Sequence, residues 1–86
     1  MTLRHLAIFI KVFDLGSMTA AAQALFISQP TVSQAISELE SYYGIKLFDR
    51  LAKRLFITEK GLQLLSYARH ITELVNEMEQ TMPLYI

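Results

Sequence analysis

The chain has no cysteine and no tryptophan. Without thiols it can form no disulfide, thiolate metal site or cysteine nucleophile, and its redox compartment is unmarked. It has no net charge, eight Lys and Arg balancing eight Asp and Glu. As a total, that balance speaks against a nucleic-acid binder, whose usual footprint is a basic patch. No run of 18 apolar residues occurs, so no stretch reads as a membrane span. The apolar start MTLRHLAIFIKVFD is broken by Lys11 and Asp14, and no small-residue cleavage site follows closely. It reads as a helix of a cytoplasmic domain rather than a signal peptide. Glycine-rich loops before a helix are absent, no serine sits in a nucleophile motif, and His5 and His70 lack ligand-like spacing. Both histidines read as surface helix residues. No metal or cofactor is expected, and nothing supports an enzyme.

What is present is 86 residues, enough for one small domain, with a hydrophobic share of 52%. That share is high for a chain whose size limits burial. Either the core is unusually complete or some apolar surface is kept for a partner.

Periodicity divides the chain. Residues 2–15 form a helix, capped by Thr2 and closed by Gly16, with Leu3, Leu6, Phe9, Ile10 and Phe13 in one apolar stripe. SMTAAAQALF is a short second helix capped by Thr19 or Ser17, with Ala21, Ala22 and Leu25 on one side. A third opens at the N-cap Ser28, takes Pro30 in its first turn, buries Val32, Ile36, Leu39 and Tyr43, and stops at Gly44. A short turn between the second and third helices makes a helix-turn-helix. IKLFDRLAKRLFIT then alternates as a two-stranded hairpin, a wing, around Asp49 to Lys53. A long helix follows the cap Thr58 and ends near Met82, before Pro83. Leu64, Ala68, Ile71, Val75, Met78 and Met82 recur at steps of 4, 3, 4, 3 and 4, a heptad seam. At 1.5 Å per residue such a helix is about 36 Å long, more than three short helices can cover. The expected organisation is a winged helix-turn-helix over residues 1–58 and a dimerising linker helix over 59–86.

The neutral total hides an uneven distribution. Residues 1–45 hold Arg4 and Lys11 against Asp14, Glu38 and Glu40, which is minus one. Residues 46–60 hold Lys46, Arg50, Lys53, Arg54 and Lys60 against Asp49 and Glu59, which is plus three. Residues 61–86 hold Arg69 against Glu73, Glu77 and Glu79, which is minus two. A basic hairpin suits phosphates; the plainer reading is a solvated charged turn.

The stretches FIKVFDLGSMTAAAQALFISQPTVSQAISELE and YGIKLFDRLAKRLFITEKG carry a resemblance. With AA-x-x-L, S-Q-P-x-V-S, L-E, G-x-x-L-F-x-R and T-x-x-G in that order, the chain resembles the N-terminal DNA-binding domain of LysR-type transcriptional regulators from Leu3 to about Met82. The resemblance implies a mainly α winged helix-turn-helix that binds double-stranded DNA as a homodimer through its linker helix. It also implies a small-molecule effector, sensed through a C-terminal domain absent from this chain. The chain is expected to be a DNA-binding fragment, with a naturally short protein as the alternative. It departs from the family at Phe56, where a polar wing residue is common, at Tyr43, where Leu is usual, and at Gln34, where many members carry Arg.

On a helical wheel with Val32 inward, Pro30, Gln34, Ser37 and Ser41 face outward, flanked by Gln29 and Ser33 on one side and Thr31 on the other. Alone this would be a solvated face. With the resemblance, Gln29, Pro30, Thr31, Ser33 and Gln34 become base-reading candidates, since amides, hydroxyls and apolar groups match base edges in the major groove. Ser17, Thr19 and Ser28 are caps that can also meet phosphates. Lys53 and Arg54 are wing contacts, and Arg50 either contacts the backbone or braces the wing through an ion pair. The competing function is a protein-interaction dimer that has lost DNA binding, supported by the absence of Lys and Arg from the third helix.

Overall fold

The computed structural model describes residues 1–82. Among them, helices α1 (Leu3–Leu15), α2 (Met18–Leu25), α3 (Gln29–Tyr43) and α4 (Glu59–Thr81) surround one core, with strands β1 (Phe48–Leu51) and β2 (Arg54–Ile57) between α3 and α4.

Each helix begins on a hydroxyl cap: Thr2, Ser17, Ser28 and Thr58 accept from a backbone N–H one turn on. Ser17, not Thr19, therefore caps α2; Thr19 lies inside the first turn. α1 and α3 close on Gly16 and Gly44 in the left-handed region, at φ 69° and 66°. α2 closes on Phe26, which takes the same conformation at φ 58° although it carries a side chain.

The core holds Leu6, Phe9 and Val12 of α1, Ala21 and Ala22 of α2, Val32, Ile36 and Leu39 of α3, and Ala68 of α4. The alanines let the helices approach closely. Phe48 of the wing joins this core edge-on to Phe9, with ring centroids 5.6 Å apart. Two members of the expected stripes lie outside it. Leu3 is on the exposed first turn, and Tyr43 is 42% exposed because α3 has run past the core; its ring packs against Tyr42 instead.

The segment before the wing is clamped from two sides. The Leu47 N–H donates to the Glu40 carboxylate at 2.8 Å. The Thr58 N–H donates to the Leu47 carbonyl at 2.9 Å, and the Thr58 hydroxyl to the Lys46 carbonyl at 2.6 Å. Gly61 is buried here: a Cβ on it would stand 2.5 Å from the Leu47 carbonyl oxygen. L-E and T-x-x-G are thus two halves of one joint that fixes α3, the wing and α4 together.

α4 is 23 residues long and amphipathic on two sides. Gly61, Leu65, Ala68, Thr72 and Val75 form the row toward its own domain, with Ala68 fully buried. Arg69 ties the helix to the end of α1, donating to Asp14 at 2.6 Å and lying over the Phe13 ring. Tyr67, Leu74 and Met78 are exposed on the other side, while Leu64 and Ile71 between the two sides are half-buried against the core. Of the expected seam residues, Ala68 is fully buried in the domain's own core, Leu64 and Ile71 pack half-buried against it, Val75 is half-buried, Met78 is exposed, and Met82 is the non-helical cap at φ −80° and ψ 142°. Positions 67 and 68 differ by about 100° on a helix, enough to separate solvent from core. Pro83 lies outside the described residues.

Candidate nucleic-acid interface

α3 stands as a ridge between two furrows. On one flank, Thr31, Gln34, Ala35 and Glu38 face Arg4, His5 and Ile8 of α1. On the other, Ser33, Ser37 and Glu40 face Met18 and the wing residues Phe48, Arg50 and Leu55. The crest and ends carry no Lys or Arg. Gln29, Pro30 and Gln34 are exposed; Thr31 and Ser33 are half-buried. The Ser28 hydroxyl accepts from the Thr31 N–H and shares a 2.7 Å hydrogen bond with the Thr31 hydroxyl, so both groups are committed locally before any ligand arrives.

At the N-terminal end of α3 a polar concavity gathers the rest. It is lined by Gly16, Ser17, Met18 and Thr19 at the start of α2, by Gln29, and by Arg50, Lys53 and Leu55 of the wing. Five of the sequence-derived candidates, Ser17, Thr19, Gln29, Arg50 and Lys53, therefore meet in one place. A helix N-terminus beside two cations is electrostatically suited to an anion.

The hairpin register assigns the basic residues. Phe48 pairs with Ile57, Arg50 with Leu55 and Leu51 with Arg54. Alternation puts Phe48, Arg50, Leu55 and Ile57 toward α3, and Asp49, Leu51, Arg54 and Phe56 on the outer face. Arg50 makes no salt bridge among the described residues, where the ion pairs are Arg69–Asp14 and His5–Glu38; the bracing role has no partner there. Arg54 lies across the hairpin from the concavity. Phe56 is exposed beside Asp49 rather than packed. Ala52 and Lys53 form the tip with φ 51° and 64°, both left-handed, as a two-residue type I′ connection requires.

His5 was expected as a surface helix residue, and Glu38 was given no role. His5 is half-buried, and its Nε2 lies 2.7 Å from the Glu38 Oε1. Hydrogen bonds from His5 and Gln34 lower the Glu38 pKa, so this carboxylate stays ionised at neutral pH. The available signal was a histidine three residues after a capping threonine, where Glu or Gln usually completes the box.

A three-helix core whose third helix is exposed beside a basic β-hairpin defines the winged helix-turn-helix class. A family model described as bacterial regulatory helix-turn-helix protein, lysR family, matches residues 3–62. The RuBisCO operon transcriptional regulator of Allochromatium vinosum is 40% identical over 81 residues, 94% of this chain and 27% of that protein. The transcriptional activator protein LysR of Escherichia coli is 48% identical over 62 residues, 72% of this chain and 20% of that protein. The BenM DNA-binding domain in complex with catB site 1 DNA superposes with a TM-score of 0.89 at 36% identity, covering 93% of this chain and 90% of that one. The CbnR DNA-binding domain–DNA complex gives 0.87 at 35% identity, covering 93% and 92%. The chain belongs to the LysR family of bacterial regulators. It spans about a quarter of the length of the curated relatives it matches.

Proposed function

We propose that the chain is a sequence-specific, double-stranded DNA-binding domain of a cytoplasmic transcriptional regulator, acting as a homodimer. α3 enters the major groove and reads bases through Gln29, Pro30, Thr31, Ser33 and Gln34. Arg50, Lys53 and the α2 N-terminus, with Ser17 and Thr19, hold the flanking phosphates, and Ser28 supports the helix start. Arg54 reaches backbone from the outer face of the wing. The exposed side of α4, carrying Tyr67, Leu74 and Met78, pairs with its twin and sets the spacing of two recognition helices, so the site is dyad-symmetric. Control by a small-molecule effector belongs to a domain outside this chain.

The observation that carries this reading is the division of labour at the N-terminal end of α3. An uncharged amide and hydroxyl ridge suited to base edges adjoins a polar concavity lined by Arg50 and Lys53. The resemblance to domains solved on DNA supports it. Titration with a duplex at two salt concentrations tests it. Affinity should fall as salt rises, with a logarithmic slope of about −0.9 per phosphate neutralised. No binding at low salt, with an intact dimer, would leave the protein-interaction reading in its place.

A further inference from the structure

A four-group hydrogen-bonded chain runs from the start of α1 to the crest of α3. The Thr2 N–H lies 3.2 Å from the His5 Nδ1, and the Thr2 hydroxyl 2.8 Å from the same atom. A backbone N–H can only donate, so Nδ1 accepts and the neutral ring carries its proton on Nε2. That Nε2–H points at the Glu38 Oε1, 2.7 Å away. The second carboxylate oxygen, Oε2, accepts from the Gln34 side-chain nitrogen at 3.2 Å. Both carboxylate oxygens of Glu38 are thereby engaged, and both partners donate.

The consequence falls on Gln34. A glutamine amide free in solvent can turn by 180° and offer either its oxygen or its nitrogen. An ionised carboxylate only accepts, and these same bonds lower the pKa of Glu38 further below neutral. The amide nitrogen therefore faces Glu38 with one of its two N–H groups, and the carbonyl oxygen is turned away from the carboxylate, where it can accept from a base amino group and repels a keto oxygen. Among base edges in the major groove, adenine and cytosine present an amino donor, whereas guanine and thymine present a keto oxygen at the corresponding place.

We propose that Glu38, oriented by His5, is a positioning residue that fixes the Gln34 amide so that it selects an amino-bearing base over a keto-bearing one on the strand it faces. This rests on the reading of α3 as the base-reading helix. The N-terminal ammonium of Met1 also favours the ionised carboxylate, and Arg4 lines the same furrow. Neither cation makes a hydrogen bond to Glu38 among the described residues, so His5 and Gln34 alone set the direction of its two oxygens.

The test compares the parent chain, Gln34→Ala, Glu38→Gln and His5→Ala by selection from one pool of random duplexes, with thermal melting of each variant as the fold control. Gln34→Ala identifies the operator position that Gln34 reads. There the parent should prefer adenine or cytosine. Glu38→Gln is isosteric but carries a donor at one end, so the Gln34 amide is released to turn. The amino-over-keto preference at that one position should fall roughly tenfold, within the range one good base contact discriminates. Preferences at other positions and the melting temperature should be unchanged. His5→Ala should give a smaller loss at the same position; Thr2 still caps α1 through its hydroxyl. Unchanged preference in both Glu38→Gln and His5→Ala overturns the proposal, as does a parent preference for guanine or thymine at that position. An unchanged profile in Gln34→Ala would show instead that Gln34 does not read bases, which removes the foundation as well.

Discussion

Arg50 faces the α3 side of the wing opposite Leu55, while Arg54, opposite Leu51, faces away from it. Two arginines four residues apart thus have different reach, because strand side chains alternate between faces. Arg50 borders the concavity that holds Gln29 and the start of α2. Arg50→Gln should weaken binding to all duplexes and lower the salt slope by about one per protomer. Arg54→Gln should change both less. Equal losses, measured by titration at several salt concentrations, would contradict this assignment of faces.

The wing tip holds two residues in a conformation that favours Gly and Asn, Ala52 at φ 51° and Lys53 at φ 64°. A left-handed conformation costs a side-chain-bearing residue roughly 1–2 kcal/mol. Ala52→Gly or Ala52→Asn should therefore raise the denaturant midpoint without altering DNA affinity. Lys53→Gly should raise the midpoint while weakening DNA binding. A lowered midpoint in all three would show that the tip is not strained.

Gly61 is needed for space rather than for backbone freedom. An added methyl would meet the Leu47 carbonyl oxygen at 2.5 Å and the Ile57 side chain at 2.7 Å. Gly61→Ala should destabilise the domain by about 1–3 kcal/mol, as overpacking does, despite alanine's higher helix propensity. Chemical denaturation that finds a gain in stability would refute the close joint between α4 and the wing.

The exposed and buried sides of α4 are expected to separate association from folding. Leu74 is 51% exposed and Tyr67 70%, whereas Ala68 is fully buried. Leu74→Glu should convert dimer to monomer in sedimentation with little loss of helix content, and Ile71→Glu should act in the same direction. Ala68→Leu should instead lower the melting temperature, because the core has no room for it. A dimeric Leu74→Glu would sink the exposed side of α4 as the interface.

Much of this was legible in the sequence because local signals and global packing agree. Thr2, Ser28 and Thr58 start helices, Gly16 and Gly44 stop them, and Val32, Ile36 and Leu39 repeat at helical spacing. What was misplaced depends on neighbours. Tyr43 keeps the apolar period of α3 but lies beyond the reach of α1 and α4. A heptad can be traced through α4 by more than one choice of rows, and the sequence cannot say which residues the domain itself covers; Ala68 is fully buried in it. Glu38 and His5 are 33 residues apart, and no local pattern couples them. The pairing of Arg50 with Leu55, which orients the wing, depends on a two-residue turn built from Ala52 and Lys53 without the Asn-Gly that usually marks one.

Selection of bound sequences from a random pool of double-stranded DNA by the parent chain tests the central claim most directly. The account predicts enrichment of a dyad-symmetric sequence, its half-sites in successive major grooves, about one helical turn apart or a multiple of it. A pool that stays random, or that converges on one half-site without symmetry, would contradict it.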